Sequence, residues 1–395
     1  MTVPPVVNIN SSILDGIRAD LSERMVSGMY RIRRVINTAQ GPTVNIDGRD
    51  LINFSSNDYL GLAKHPDLQR IFKQAVDTYG LGAGSSHLVC GHSSAHADLE
   101  EELADFTGRQ RALVFSSGYL ANLAVVTTLV GKDDIVIGDR LDHASMIDAA
   151  RLSQARLRRY RHADVGAAEQ LIKTQVAARE LVLTDGVFSM DGDIAPLIAL
   201  AQICQTHNAM LIVDDAHGFG VLGKRGGGVL DLLGLGSRDV PVLVGTFGKA
   251  LGAFGAFVSG DGPVIELLIQ KAHSYIYTTA LPPAIAVTVK HALGLVRSES
   301  WRRDHLACLI RRFCDGASQL GLSIKPSTTA IQPLIIGEAD EAVRISERLY
   351  QKGILIPAIR PPTVPKGSSR LRISLSAAHD EAQVDYLLET LDAVL

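Results

Sequence analysis

Between residues 110 and 250 one arrangement recurs: a short, nearly unbroken apolar run, then small, acidic or hydroxyl residues, then a segment with helical spacing. The runs occupy residues 112–115, 134–137, 181–184, 211–213 and 242–245. A strand buried on both faces needs such a run, and strands alternating with helices build a mostly parallel sheet covered by helices on both sides. An α/β fold follows. Ligands of such sheets bind beyond the carboxyl ends of the strands, so the residues after each run are where chemistry is expected.

The flanks read differently. Residues 11–36 have the pattern of a basic amphipathic helix, and residues 45–54 that of a hairpin around Asp47-Gly48. Pro282-Pro283 precedes a helical segment expected to reach about Leu320, followed by a strand near 331–336, a helix over 341–352, a strand near 371–375 and a last helix. The expected division is an N-terminal helix and hairpin segment (1–50), a large domain (51–285) and a smaller α+β C-terminal domain (286–395).

Composition narrows the function classes. The 395 residues are 46% hydrophobic and 21% charged, ordinary for a globular enzyme. Lys plus Arg number 39 against 42 Asp plus Glu, a net charge of -3, so no nucleic-acid partner is expected. Uncharged residues 274–289 are interrupted by Pro282 and Pro283 and fall short of the roughly 20 apolar residues of a membrane span. The first ten residues, MTVPPVVNIN, lack the basic start and apolar run of a secretory signal, which points to the cytoplasm. Cys90, Cys204, Cys308 and Cys314 form no C-x-x-C pair, so no metal site or disulfide framework is expected from them. Gly226-Gly227-Gly228 reads as a flexible surface turn, and Arg156, Arg158, Arg159 and Arg161 as a solvated face.

Three strand ends carry unusual residues. After 112–115 comes Ser116-Ser117-Gly118-Tyr119 and then a helical segment, which is either a plain turn or an anion cradle of backbone N–H groups. After 211–213 come Asp214 and Asp215, one of which either caps a turn or pairs with a cation such as a protonated ring nitrogen. After 242–245 comes Thr246-Phe-Gly-Lys249-Ala-Leu-Gly. A lysine among apolar and glycine residues is either a surface lysine or an amine with a lowered pKa, able to form an imine. An anion cradle, an acid for a ring nitrogen and a lysine for an aldehyde together meet the requirements of pyridoxal 5'-phosphate. His143 could stack on its ring or be a satisfied structural histidine.

With these motifs, residues 54–63 (FSSNDYLGLA), 184–194 (TDGVFSMDGDI), 213–224 (VDDAHGFGVLGK), 246–253 (TFGKALGA) and 277–284 (YTTALPPA) resemble the α-oxoamine synthases over essentially the whole chain. These are pyridoxal-phosphate transferases of fold type I. The resemblance implies a homodimer with active sites at the subunit interface. It implies Lys249 as the lysine that bonds the cofactor, Asp214 at the ring nitrogen, His143 stacked on the ring, and Ser189 and His217 near the phenolic oxygen. Gly118, Tyr119 and Thr246 would hold the phosphate, with Thr278 supplied by the other subunit. Arg360 would grip the substrate carboxylate, and Arg31 and Thr363 would touch the acyl substrate. Asp185 stands where some relatives carry Glu. Residues 330–338 and 358–379, with the stretch IRPPTVP, resemble the branch that condenses L-alanine with pimeloyl-CoA or pimeloyl-ACP. The alternative is a sister activity such as 2-amino-3-ketobutyrate CoA ligase, using glycine and a short acyl-CoA. A non-catalytic relative would have lost the lysine.

Overall fold

A computed structural model describes residues 9–174, 177–325 and 327–395. The first eight residues, on which most of the export reading rests, lie outside the described residues. The expected hairpin forms as β1 (Thr43–Ile46) and β2 (Arg49–Asn53). Asp47 and Gly48 sit at φ 51° and 79°, the positive values that a two-residue turn matched to strand twist requires.

Seven strands make the central sheet: β3 (Arg111–Phe115), β4 (Ile135–Asp139), β5 (Arg156–Tyr160), β6 (Glu180–Asp185), β7 (Met210–Asp214), β8 (Val242–Thr246) and β9 (Ala256–Gly260). Their spatial order is β3-β9-β8-β7-β6-β4-β5, and every neighbouring pair is parallel except the two made by β9. The apolar runs alternate between two cores. Val114, Ile137, Val182, Val213 and Leu243 face one helical layer, while Leu113, Val136, Leu183, Ile212 and Val244 face the other. Burying each such side chain contributes roughly 1.5–3 kcal/mol, so the continuous runs are the direct mark of a sheet with no wet face.

Two of these strands escape the sequence patterns. In β5 the side chains of Arg156, Arg158 and Arg159 point largely to solvent, as expected of a charged face, yet the backbone pairs with β4 at the sheet edge. The buried β9, AFVSG, is short and rich in small residues.

The N-terminal helix is shorter than expected, Ile9–Val26 rather than 11–36. Gly28 at φ 66° and the bonds from Met29 N and Tyr30 N to Arg24 O turn the chain out of the helix, a glycine stop of the usual kind. Its apolar side chains Ile13, Leu14, Ile17, Leu21 and Met25 are exposed in the single chain. The segment after Pro282 is also broken, into helices Pro283–Ser298 and Trp301–Gln319. The first packs on helices Pro66–Tyr79 and Ser94–Thr107, the second on the final helix Glu381–Val394.

The tail builds a second sheet from β10 (Ile331–Gly337), β12 (Ala358–Ile359) and β13 (Ser369–Ser374), with helix Ala339–Gln351 between β10 and β11 (Ile354–Leu355). β11 pairs with β2, which ties the N-terminal hairpin to the tail. The three glycines 226–228 are buried rather than forming a surface turn. A Cβ on Gly228, which sits at φ +87°, would come 1.8 Å from Asp215 Oδ2, so the glycines let the chain close on a buried carboxyl. No described helix is long and apolar enough to cross a membrane.

Candidate active site

Because β3 runs parallel to β8, the carboxyl ends of β3, β8, β7, β6 and β4 reach one edge of the sheet. A cavity of about 190 Å³ lies there, lined by Gly118, Tyr119, His143, Asp185, Asp214, Ala216, His217, Thr246 and Lys249. Helix Gly118–Leu129 starts at its wall, with Ser117 Oγ accepting from Leu120 N at 3.3 Å. The first N–H groups of a helix have no acceptor within it, so those of Gly118 and Tyr119 are offered to a ligand. Thr246 Oγ1 donates to Gly255 O at 2.9 Å and accepts from Gly248 N at 3.2 Å, which fixes the turn leading to Lys249.

Lys249 Nζ lies 2.8 Å from His217 Nε2, and His217 Nδ1 lies 2.7 Å from Tyr59 Oη. Burial pushes the Lys249 ammonium down to about 8, only partly offset by the charges of Asp214 and Asp185. Burial, and then the charge of Lys249, holds His217 well below the ordinary histidine range, so its ring is neutral near pH 7. A protonated Lys249 therefore donates to Nε2, His217 donates from Nδ1 to Tyr59, and the Tyr59 hydroxyl donates to Asn57 Oδ1 at 3.0 Å. Arg372 donates to Tyr59 Oη at 3.4 Å and to Asn57 Oδ1 at 3.2 Å, closing this relay from behind.

The aspartates at the strand ends sort by what they touch. Asp215 Oδ2 accepts from Val229 N at 2.7 Å, and burial pushes its carboxyl up to about 8. Asp185 Oδ2 accepts from His143 N at 2.8 Å, and burial together with nearby Asp214 raises it well above the carboxylate range. Asp214, which lines the cavity as Asp185 does, has both oxygens aligned, Oδ2 by Asn122 Nδ2 at 2.6 Å and Oδ1 by Ala216 N at 3.0 Å. Asn122 Nδ2 also donates to Ser145 Oγ at 2.9 Å, and Ser145 Oγ lies 2.7 Å from His143 Nδ1. Since Ser145 N also donates to Nδ1, that nitrogen is the acceptor, and burial lowers the histidine's pKa. The acid and the histidine are thus oriented by one network.

Lys249 also lines a second chamber of about 390 Å³. That chamber shares Ser55 and Leu355 with a third, of about 770 Å³, where Arg360 stands with Nη2 bonded to Tyr30 O at 2.7 Å. The three therefore adjoin one another through shared lining residues, with Lys249 between the inner two. Arg31 Nη2 donates to Thr363 Oγ1 at 3.3 Å, so these two expected residues meet, outside the inner cavity. Ser189 and Thr278 do not line it; the Ser189 carbonyl accepts from Arg372 Nε at 2.5 Å. A further cavity of about 960 Å³ beside helix Trp301–Gln319 is lined by none of Lys249, Asp214 and His217.

Tyr59, Asn57, Asn122 and Arg372 were not singled out from the sequence. The available signal was Arg372 itself, which alternates with apolar Leu371 and Ile373 in a strand and is buried, a costly placement unless the charge is used. Two groups of described residues have metal-ligand spacing. In the first, His87, His92 and His96, both ring nitrogens of His96 are already engaged, by Ser93 and by Leu281 O. In the second, His162, Asp191 and Asp193, Asp191 is already paired with Arg370 and Lys325.

The lowered Lys249 pKa gives a first prediction. An amine adds to an aldehyde only when neutral, so uptake of pyridoxal 5'-phosphate by cofactor-free protein is expected to speed up as pH rises through about 8. Stopped-flow absorption across pH 6 to 10 checks this (roughly the span over which a buried lysine titrates); a midpoint near the ordinary lysine value would show the amine is not desolvated.

The model of the aminotransferase class I and II family matches residues 49–391. A curated 8-amino-7-oxononanoate synthase of Thioalkalivibrio sulfidiphilus is 55% identical over 377 residues, 95% of this chain and 96% of that protein. Among solved structures, serine palmitoyltransferase from S. paucimobilis with bound PLP superposes with a TM-score of 0.91 at 31% identity, covering 97% of each chain. The 8-amino-7-oxononanoate synthase of Francisella tularensis gives 0.76 at 34% identity, covering 87% of this chain and 97% of that one.

Proposed function

The chain belongs to the class I and II aminotransferase family and groups with its 8-amino-7-oxononanoate synthases, and from that membership we propose that it condenses L-alanine with a pimeloyl thioester. The α-carbon of alanine replaces the thiol at the acyl carbon and the alanine carboxylate leaves as carbon dioxide, giving 8-amino-7-oxononanoate for biotin biosynthesis. The observation that carries the reading is the meeting of Lys249, Asp214, His217 and the start of helix Gly118–Leu129 at one cavity.

That donor set fits pyridoxal 5'-phosphate: an amine of lowered pKa for its aldehyde, an aligned acid for its ring nitrogen and backbone N–H groups for its phosphate. When bound, the cofactor supplies an electron-withdrawing ring that takes up the electrons of the broken Cα–H bond. Gly118, Tyr119 and Thr246 would hold the phosphate, joined in a homodimer by Thr278 of the partner subunit. His143 would stack on the ring, Asp214 would keep a proton on the ring nitrogen, and His217 and Ser189 would serve the phenolic oxygen. Lys249 Nζ takes the α-proton of alanine, and its hydrogen bond to His217 fixes its position for that transfer. Arg360 orients the substrate carboxylate with its planar fork. Arg31 and Thr363 hold the acyl substrate, with coenzyme A or acyl carrier protein as the thiol carrier.

Thiol release from cofactor-loaded protein tests this, with L-alanine plus pimeloyl-CoA and glycine plus acetyl-CoA measured side by side. Preference for the first pair is expected. Preference for the second would keep the fold and Lys249 chemistry and move the activity to the sister enzyme. Silence with both, and with pimeloyl-ACP, would remove the condensation.

A further inference from the structure

His162, two residues beyond β5, stands between carboxylates from two other strand ends. Its Nδ1 lies 3.1 Å from Asp139 Oδ1 at the end of β4, and its Nε2 lies 2.8 Å from Asp193 Oδ2 in the turn that follows β6. Asp139 is buried, and its oxygens also accept from Leu141 N and Ala163 N, both at 2.8 Å. A neutral imidazole has one N–H and would turn a lone pair on one of the two carboxylates; the imidazolium donates to both. Burial alone would lower the ring's pKa, but the hydrogen bonds and charges of Asp139 and Asp193 outweigh it and hold the ring at about 9. The neighbouring charges are already paired, Asp191 with Arg370 and with Lys325.

We propose that His162 is a positioning residue whose imidazolium ties the loop leaving β4, which carries His143, to the turn leaving β6, which carries Ser189. The turn is closed by Phe188 N to Asp193 O at 2.9 Å and Gly192 N to Phe188 O at 2.8 Å, and Phe188 packs edge-on against the His162 ring at 4.4 Å. Between those ends the Ser189 carbonyl receives Arg372, the arginine that also braces Tyr59 behind His217 and Lys249. On the other side Asp139 holds the first turn of the loop that leads to His143. His162 does not line the inner cavity, so it acts only through the loop that carries His143, which does, and through the turn whose Ser189 carbonyl receives Arg372. The inference rests on the functional reading above.

The test uses pyridoxal-phosphate-loaded protein. His162→Gln puts an oxygen against one carboxylate, and adding Asp193→Asn gives that oxygen a donor in place of the repulsion. For His162→Gln, kcat for alanine-dependent thiol release is expected to fall roughly tenfold, with KM for the acyl thioester changed less than about twofold, because loops displaced by a fraction of an ångström misalign bound reactants. The visible circular dichroism of the bound cofactor should weaken in parallel. The double variant should recover most of both. A His162→Gln protein with wild-type kcat and dichroism, or a double variant no better than the single one, overturns the proposal; so does failure of both variants to fold, since the clamp then supports the whole chain rather than the site. A wild-type protein without cofactor absorption or thiol release would sink the functional reading and this inference with it, whereas an active wild type with an indifferent variant sinks only the inference.

Discussion

Lys249→Ala is expected to lower thiol release from L-alanine and the pimeloyl thioester by at least about 10³-fold while leaving cofactor uptake measurable, because a nucleophile and a general base are lost in one substitution. The rest of the pocket does not depend on the ammonium. Asp214 is held by Asn122 and Ala216 N, the turn at Thr246 by Gly255 and Gly248, and the helix at Gly118 by its own cap. Removal of the charge also relieves its effect on His217, whose Nε2 then faces the vacated space. That neutral imidazole is a weak substitute base, which sets a low residual rate. Two measurements separate the functions: equilibrium dialysis with pyridoxal 5'-phosphate for binding, and exchange of the alanine α-hydrogen with deuterated water for proton removal. Turnover within tenfold of the unaltered protein, about 1.4 kcal/mol in the barrier, would remove Lys249 from the chemistry.

Much of this pocket was legible in the sequence for a physical reason. A strand buried on both faces must be apolar throughout, so the residues that interrupt the pattern at its end stand out, and Asp214, Lys249 and Gly118 were found that way. The pattern did not say which of Asp214 and Asp215 faces the site. That depends on the glycines at 226–228, which bring Val229 N to Asp215 and leave Asp214 to Asn122. Nor did it show the brace behind Lys249, because Arg372 and Tyr59 meet across 313 residues of sequence and no local periodicity encodes such a contact. The edge strand β5 was hidden for the opposite reason: its outward arginines carry the composition of a loop while the backbone completes a ladder. The N-terminal helix ends short of the span its spacing predicts because polar and apolar residues keep helical spacing past Gly28, where the backbone turns away.

Asp214→Asn makes the sharpest demand on the proposed chemistry, since it changes one atom and almost no volume. The carboxylate accepts from Asn122 Nδ2 at 2.6 Å and from Ala216 N at 3.0 Å. An amide in its place accepts from one of them and turns its NH₂ on the other, setting donor against donor at a cost of about 1–3 kcal/mol for the unsatisfied buried group. The larger consequence lies at the ligand. An amide cannot hold a proton on a ring nitrogen by charge, so on the proposed reading removal of the α-proton by Lys249 would lose the support that Asp214 gives it. Exchange of the alanine α-hydrogen is therefore expected to fall by roughly 10²–10⁴-fold, the range in which a positioned acid–base partner acts. Loss of the negative charge also removes one of the groups that support the Lys249 ammonium, so its pKa should fall further, and cofactor uptake should respond to pH at a lower midpoint than in the unaltered protein. The two readouts move for different reasons, one through the ring and one through the amine. Unchanged α-hydrogen exchange would refute the role of Asp214, whatever the uptake curve shows, and a slowed exchange with an unshifted midpoint would place the acid at the ring nitrogen but outside the electrostatic reach of Lys249.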